Sequence, residues 1–159
     1  MAESETATGQ GRSLVFLLFL VLVVGGGLAI GFATAPGAWY AGLAKPSFNP
    51  PNWVFGPVWT VLYFLIAIAG ARVWLADRRS PAMTLWGIAL LLNFVWSPVF
   101  FGAHLILPAL VIILLLLGAI AGFIGASRSV DRIASWLFVP YALWVAFAAL
   151  LNGSILALN

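Results

Sequence analysis

An all-α integral membrane fold, a bundle of five transmembrane helices, is what this sequence predicts, and three observations carry the prediction. The chain has 159 residues, 64% of them apolar and only 7% charged, too few charges to clothe a soluble domain of that size. Its apolar residues gather into five runs, each near the roughly 20 residues that cross a hydrocarbon core about 30 Å thick. None of the runs alternates with the period of two that barrel strands require, so each must satisfy its backbone internally, as a helix.

Residues 1–13, MAESETATGQGRS, are small and polar and are expected to form a disordered tail. A single five-helix domain then occupies 14–159. Its first run, Leu14 to Ala35, follows Arg12 and ends in Ala33-Thr34-Ala35, which resembles a signal-peptide cleavage site. The run exceeds the ~7–15 residues of a signal h-region, so the segment is expected to be retained as a helix. A proline-rich loop at 36–52 leads to the second run, Val54 to Ala76. Asp77-Arg78-Arg79-Ser80-Pro81 separates it from the third, Ala82 to Ala103. Gly102 to Pro108 marks the break before the fourth, Leu105 to Ala126, and Ser127 to Arg132 the break before the fifth, Ile133 to about Leu156.

An odd number of spans puts the termini on opposite sides. Arg12, Arg78, Arg79, Arg128 and Arg132 then share one side, with Arg72 close enough to snorkel to it, and Lys45 stands alone on the other. The positive-inside rule puts the N-terminus in the cytoplasm and the long loop outside, as in a bacterial cell membrane protein; it assumes ordinary cell-membrane insertion and does not decide placement in an outer membrane.

Composition excludes several chemistries. Without cysteine there are no disulfides, iron–sulfur clusters or thiolate ligands, and His104 alone builds no histidine-rich metal site. The basic residues are scattered over short connectors, which argues against nucleic acid as a partner. Asp77 and Asp131 lie in connectors and Glu3 and Glu5 in the tail, so no carboxylate sits at membrane depth, where a proton-coupled transporter needs one. Nor do a serine, His104 and an acid share a membrane face for hydrolysis.

Tryptophans normally mark the membrane interfaces, and Trp74, Trp86 and Trp136 near the arginine-rich helix ends are expected to be such anchors. Trp59, Tyr63, Trp96 and Trp144 fall deeper. Trp59 and Tyr63, four apart, share a helix face; Asn93 and Trp96 are three apart; Trp144, Ala148 and Asn152 step by four, with small Ala148 leaving room beside the indole. Three helices thus offer rings to one another. The pattern fits a ligand pocket, and equally a packed aromatic core in which Asn93 only joins helices.

Gly27 and Gly31 in the first helix, and Gly118 and Gly122 in the fourth, match GxxxG, which serves either a homodimer or close packing within one bundle. Pro57, Pro98 and Pro140 should bend their helices, with Ser97 satisfying backbone beside Pro98. In the long loop, Pro46, Pro50 and Pro51 stiffen the path from Lys45 to Asn52, and Asn52 is suited to cap the second helix. Trp39, Tyr40, Phe48 and Trp53 give this loop apolar weight, so it is expected to fold back as a lid.

These residues resemble a known family. Trp39-Tyr40, Lys45-Pro46, Pro50-Pro51, Trp59 and Leu62-Tyr63, then Asn93, Trp96 and Phe100-Phe101, then Pro140-Tyr141, Trp144, Ala148 and Leu151-Asn152 are similar to the TspO/MBR family of tryptophan-rich sensory proteins. The resemblance covers about residues 14 to 156. It implies five helices in the order 1-2-5-4-3, usually in a homodimer, around a pocket closed by the first loop. It further implies binding of porphyrins such as protoporphyrin IX, as ligand and not as required cofactor, at Trp39, Trp59, Tyr63, Asn93, Trp96, Trp144 and Ala148. Some members are associated with light-dependent porphyrin breakdown, for which Trp59 and Trp144 would be the reactive rings; a passive transporter or scaffold is the other alternative. Sterol binding in animal relatives is tied to a basic residue late in the fifth helix, and nothing after Arg132 is basic here, so a sterol partner is doubtful.

Overall fold

The computed structural model describes residues 2–159, with side chains from residue 9 onward. Among the described residues the chain is helical without strands, and five long apolar helices cover Gly9–Ala33, Asn52–Asp77, Pro81–Gly102, Ile106–Ser127 and Arg132–Leu158. These are the first to fifth helices, and each overlaps its predicted run to within a few residues at either end, except at the start of the first. There, helical backbone continues through residues 9–13, where a disordered tail was expected, with the Ser13 hydroxyl donating to the Gly9 carbonyl at 3.1 Å. Extension of an existing helix adds a hydrogen bond per residue without a new nucleation cost, so a polar stretch can ride on an apolar one. The remainder of the expected tail lies outside the residues whose side chains are described.

Neighbouring helices close a ring. The first packs on the second, the second on the start of the fifth, the fifth on the fourth, the fourth on the third, and the third back on Gly26–Ala33 of the first. Glycines permit close approaches among the second, third and first helices. A Cβ on Gly70 would overlap the Trp86 ring, and one on Gly26 would overlap Phe94. The first helix is the least buried of the five and acts as a wall more than as core.

Trp86 corrects an expectation. It is no interfacial anchor: it is only 5% exposed, its ring sits 4.9 Å from that of Phe19, and its Nε1–H donates to the Ile66 carbonyl at 2.9 Å. Gly70, one turn beyond Ile66 on the second helix, opens the slot that the indole fills. Trp74 and Trp136, 40% and 66% exposed, do face outward as expected.

The prolines act in different ways. Pro57 lies in the first turn of the second helix's α-helical part, Phe55–Asp77, where its missing N–H leaves little unpaired. Pro98 opens a wider π-helical turn, Pro98–Gly102, and a second such turn, Val21–Gly25, interrupts the first helix just before its glycines. The fifth helix breaks at Phe138 and restarts as Val139–Leu158 with Pro140 in its opening turn. Ser97 does not serve the backbone beside Pro98; its hydroxyl hydrogen-bonds Thr34 at 2.6 Å and ties the first helix to the third.

At the arginine-rich end, Asp131 closes the structure. Its carboxylate accepts the Ala134 amide at 2.8 Å, capping the fifth helix, and meets the Arg72 guanidinium side-on, at 3.1 Å to Nε and 2.9 Å to Nη2. Partial burial alone would raise this carboxyl, yet the Ala134 amide and the Arg72 charge outweigh it and hold Asp131 below the ordinary carboxylate range. The stabilisation is therefore complete above the unfolded value of about 3.9 and is lost as pH falls below it toward the lower folded value. Thermal unfolding in detergent should show a stability that is flat from neutral pH to about pH 5 and declines below about pH 4. Asp131→Asn should lower the neutral-pH plateau and flatten that decline; an unchanged acid limb in the variant would refute the assignment.

Candidate functional site

A cavity of about 620 Å³ lies toward the long-loop end of the bundle, walled by the first, second, third and fifth helices. Its construction starts with the second helix, where Phe55 and Trp59, then Tyr63, succeed one another at intervals of four and turn one aromatic face inward. Trp59 is 5.4 Å from Tyr63 and 6.3 Å from Tyr141, ring centre to ring centre, so its orientation is fixed by neighbours from two helices. The fifth helix contributes Trp144, edge-on to Phe55 at 5.8 Å, and Ala148 one turn later. From the third helix comes Trp96, stacked on Phe100 at 5.4 Å and crossed by Phe101 at 5.8 Å.

Polar groups around these rings are mostly matched. Trp96 Nε1–H donates to Asn152 Oδ1 at 3.3 Å, and the Asn152 amide donates onward to the Ile106 carbonyl at 3.1 Å, joining three helices through one side chain. Trp144 is the exception. Its indole nitrogen is buried and has no hydrogen-bond partner among the described residues, a donor left open on a residue that lines the cavity.

Five of the seven residues singled out by spacing and resemblance come together here: Trp59, Tyr63, Trp96, Trp144 and Ala148. Asn93 and Trp39 do not. Asn93 is buried one turn below Trp96 and donates to the Tyr141 hydroxyl at 3.0 Å, joining the third helix to the fifth. Trp39 packs beside the cavity, edge-on to Phe100 at 5.7 Å and stacked 4.2 Å from His104, which sits in the left-handed backbone region at φ 60° between the third and fourth helices. Pro36, Tyr40 and Asn52 are the loop residues that do line the cavity, Tyr40 buried against Phe100 and Phe101.

The first helix supplies what the sequence reading missed. Gly27, Leu28, Gly31 and Phe32 form one wall, and Phe32 is 82% exposed, so this wall lies at the bundle's outer surface. Gly27 has a specific reason: a Cβ there would overlap the Tyr63 ring. Gly31, one turn on, has open space before it, as does Gly118 in the fourth helix, while a Cβ on Gly122 would press on Leu85 of the third. The Gly27 and Gly122 positions are thus engaged within this chain. Phe55 had a usable signal, being four residues before Trp59; the glycine wall carried none beyond small size.

The loop is tied down at several points. Its residues Ala38–Gly42 form a short helix, and Lys45 bonds the Ala41 and Leu43 carbonyls at 3.2 and 3.1 Å while lying 4.7 Å over the Tyr40 ring. Pro46 and Asn49 close a turn, Phe48 approaches Phe147 of the fifth helix at 6.4 Å, and Pro50 and Pro51 lead into a turn of 3₁₀ helix at Asn52–Val54. Asn52 makes no capping bond, contrary to expectation, because the helix is entered through that tighter turn; Asn52 lines the cavity instead. The side chain of Asn159 accepts from the Ala44 amide and donates to the Ala44 carbonyl, both at 3.0 Å, clamping the loop to the end of the fifth helix.

A multi-pass helical membrane protein with an aromatic pocket under a fastened loop is the class that fold and cavity define. The chain belongs to the TspO/MBR family, whose family model matches residues 18–158. Among its relatives, the tryptophan-rich protein TspO of Chlorobaculum tepidum is 42% identical, over 90% of this chain and 97% of that protein. The tryptophan-rich sensory protein of Cereibacter sphaeroides is 37% identical over 91% of each chain. The human translocator protein is 41% identical over 72% of this chain and 70% of its own length.

Two outcomes test this geometry. Gly27→Ala should destabilise the protein in detergent by about 1–3 kcal/mol, since the Tyr63 ring has to move, whereas Gly31→Ala should be neutral or stabilising by up to about 1 kcal/mol. Equal effects would contradict the placement of the first helix. Asn159→Ala should speed amide hydrogen exchange at Ala44 by up to about ten-fold, the effect of one lost hydrogen bond; unchanged exchange would mean that the clamp holds nothing.

Proposed function

We propose that this protein is a membrane receptor that binds flat, apolar tetrapyrroles of the protoporphyrin IX type in the aromatic cavity, and so senses or handles them. The observation that carries the reading is the convergence of Trp59, Trp96 and Trp144, from three helices, on a cavity whose size lies within the ~300–1,000 Å³ usual for small-molecule sites. Indole faces suit a planar polarizable ring, at about 0.5–1.5 kcal/mol per contact beyond area burial. The open Trp144 N–H offers the guest a directional contact, to a carbonyl or carboxylate oxygen or a ring nitrogen.

A porphyrin also carries two carboxylates at one edge. Lys45 stands in the lid, and its ammonium has three donors, of which two are spent on loop carbonyls. The third is available to a propionate reaching past Tyr40. In this reading the lid end faces away from the cytoplasm and the arginine-rich end faces it, in keeping with the positive-inside rule.

Titration with protoporphyrin IX in darkness should quench tryptophan fluorescence saturably. Trp144→Phe, which keeps a ring but removes the N–H, should weaken binding by about ten-fold, equivalent to ~1.4 kcal/mol. Absence of quenching in folded protein, or equal affinity in the variant, would count against the site. The same titration under light and oxygen separates binding from chemistry: porphyrin absorbance that decays no faster with protein than without it limits the role to binding.

A further inference from the structure

A second cleft, of about 270 Å³, opens at the opposite end of the bundle between the first and second helices and the connector before the fifth. Arg12, Arg72 and Asp131 line it, with Phe16, Leu75 and Ala76 as its apolar sides. We propose that this cleft is a binding site for the phosphate group of an anionic phospholipid.

The argument begins with how Arg72 is held. A guanidinium has five N–H donors. Asp131 takes one from Nε and one from Nη2, a side-on grip that leaves the Nη1 edge uncommitted among the described residues. The carboxylate is itself pinned by the Ala134 amide, so it holds the guanidinium in one orientation at little further entropic cost. Arg12 enters from the first helix. Among the described residues the one ion pair is Arg72 with Asp131, so the cleft keeps the balance of two cations against one anion. An arginine fork matches the tetrahedral oxygens of a phosphate well.

The rest of the cleft distinguishes a lipid from a free ion. Phe16 and Leu75 lie on helices that continue into the hydrocarbon, so a phosphate seated between the arginines would bring its acyl chains down along apolar side chains. Inorganic phosphate would leave those walls uncovered. The wider surroundings agree in charge, since Arg78, Arg79, Arg128 and Arg132 belong to the connectors and helix ends of the same face, against Asp77 and Asp131.

The test uses the full chain in detergent with added phosphatidylglycerol or phosphatidylcholine, read by native mass spectrometry as the fraction of protein retaining lipid. Phosphatidylglycerol should be retained preferentially. Arg12→Gln, at an exposed position, should reduce that retention about five-fold, the factor corresponding to ~1 kcal/mol per basic side chain at an anionic surface, while Arg79→Gln should leave it unchanged. Equal losses in both variants would overturn the proposal in favour of a diffuse surface charge. So would displacement of phosphatidylglycerol by millimolar inorganic phosphate at constant ionic strength, which would mark a free-phosphate site, or equal retention of the two lipids.

Discussion

Polar side chains inside this bundle have only the backbone and one another to bond with, and that constraint shapes the rest of the structure. In a hydrocarbon environment an unpaired donor costs far more than in water, so each polar residue placed in a span must be met across a helix interface. Trp86 with the Ile66 carbonyl, Asn93 with Tyr141, Asn152 with Trp96 and Ile106, and Thr34 with Ser97 are such meetings. Between them they join the second helix to the third, the third to the fifth, the fifth to the fourth and the first to the third. Apolar surface alone gives no such register, because lipid tails are as apolar as leucine.

Against that background an unmet donor is informative. Trp144 leaves its N–H open on a residue that lines the cavity, whereas Trp96, which lines it too, is satisfied by Asn152. The two indoles therefore play different parts. Trp96 is fixed by the protein and serves as a rigid wall, stacked on Phe100 and bonded to the fifth helix. Trp144 holds its ring by edge contacts with Phe55 and a tilted approach to Phe147, and keeps its hydrogen bond in reserve. The loop is fastened to the fifth helix by Asn159 and the Phe48–Phe147 approach and braced within itself by Lys45; Tyr40 lines the cavity and Trp39 stacks on His104.

Much of this was legible in the chain, and the exceptions have physical causes. Five spans followed from run length, since the bilayer imposes a minimum on any helix that crosses it. Trp59, Tyr63, Trp144 and Ala148 were legible because intervals of four repeat on a helix face, and this face turns to the cavity. Trp86 was misread because depth along a helix does not fix azimuth: the same position is an anchor or a core residue according to whether a neighbour such as Gly70 makes room. Asn93 lies three residues from Trp96, near it along the helix, yet its amide points to Tyr141 and not into the cavity. The first-helix wall had no signal, because glycines announce room without saying what fills it; that Tyr63 does so is a tertiary fact. Nor does any residue pattern in Val21–Gly25 foretell its π-helical turn.

Fluorine resonances of 5-fluorotryptophan would report all eight indoles in one spectrum, assigned by single replacement of each. On addition of protoporphyrin IX in darkness, Trp59, Trp96 and Trp144 should shift together and saturate at one concentration, while Trp53, Trp74, Trp86 and Trp136 stay in place. Shifts confined to the outward-facing Trp53, Trp74 and Trp136, with the three cavity indoles unmoved, would contradict the account.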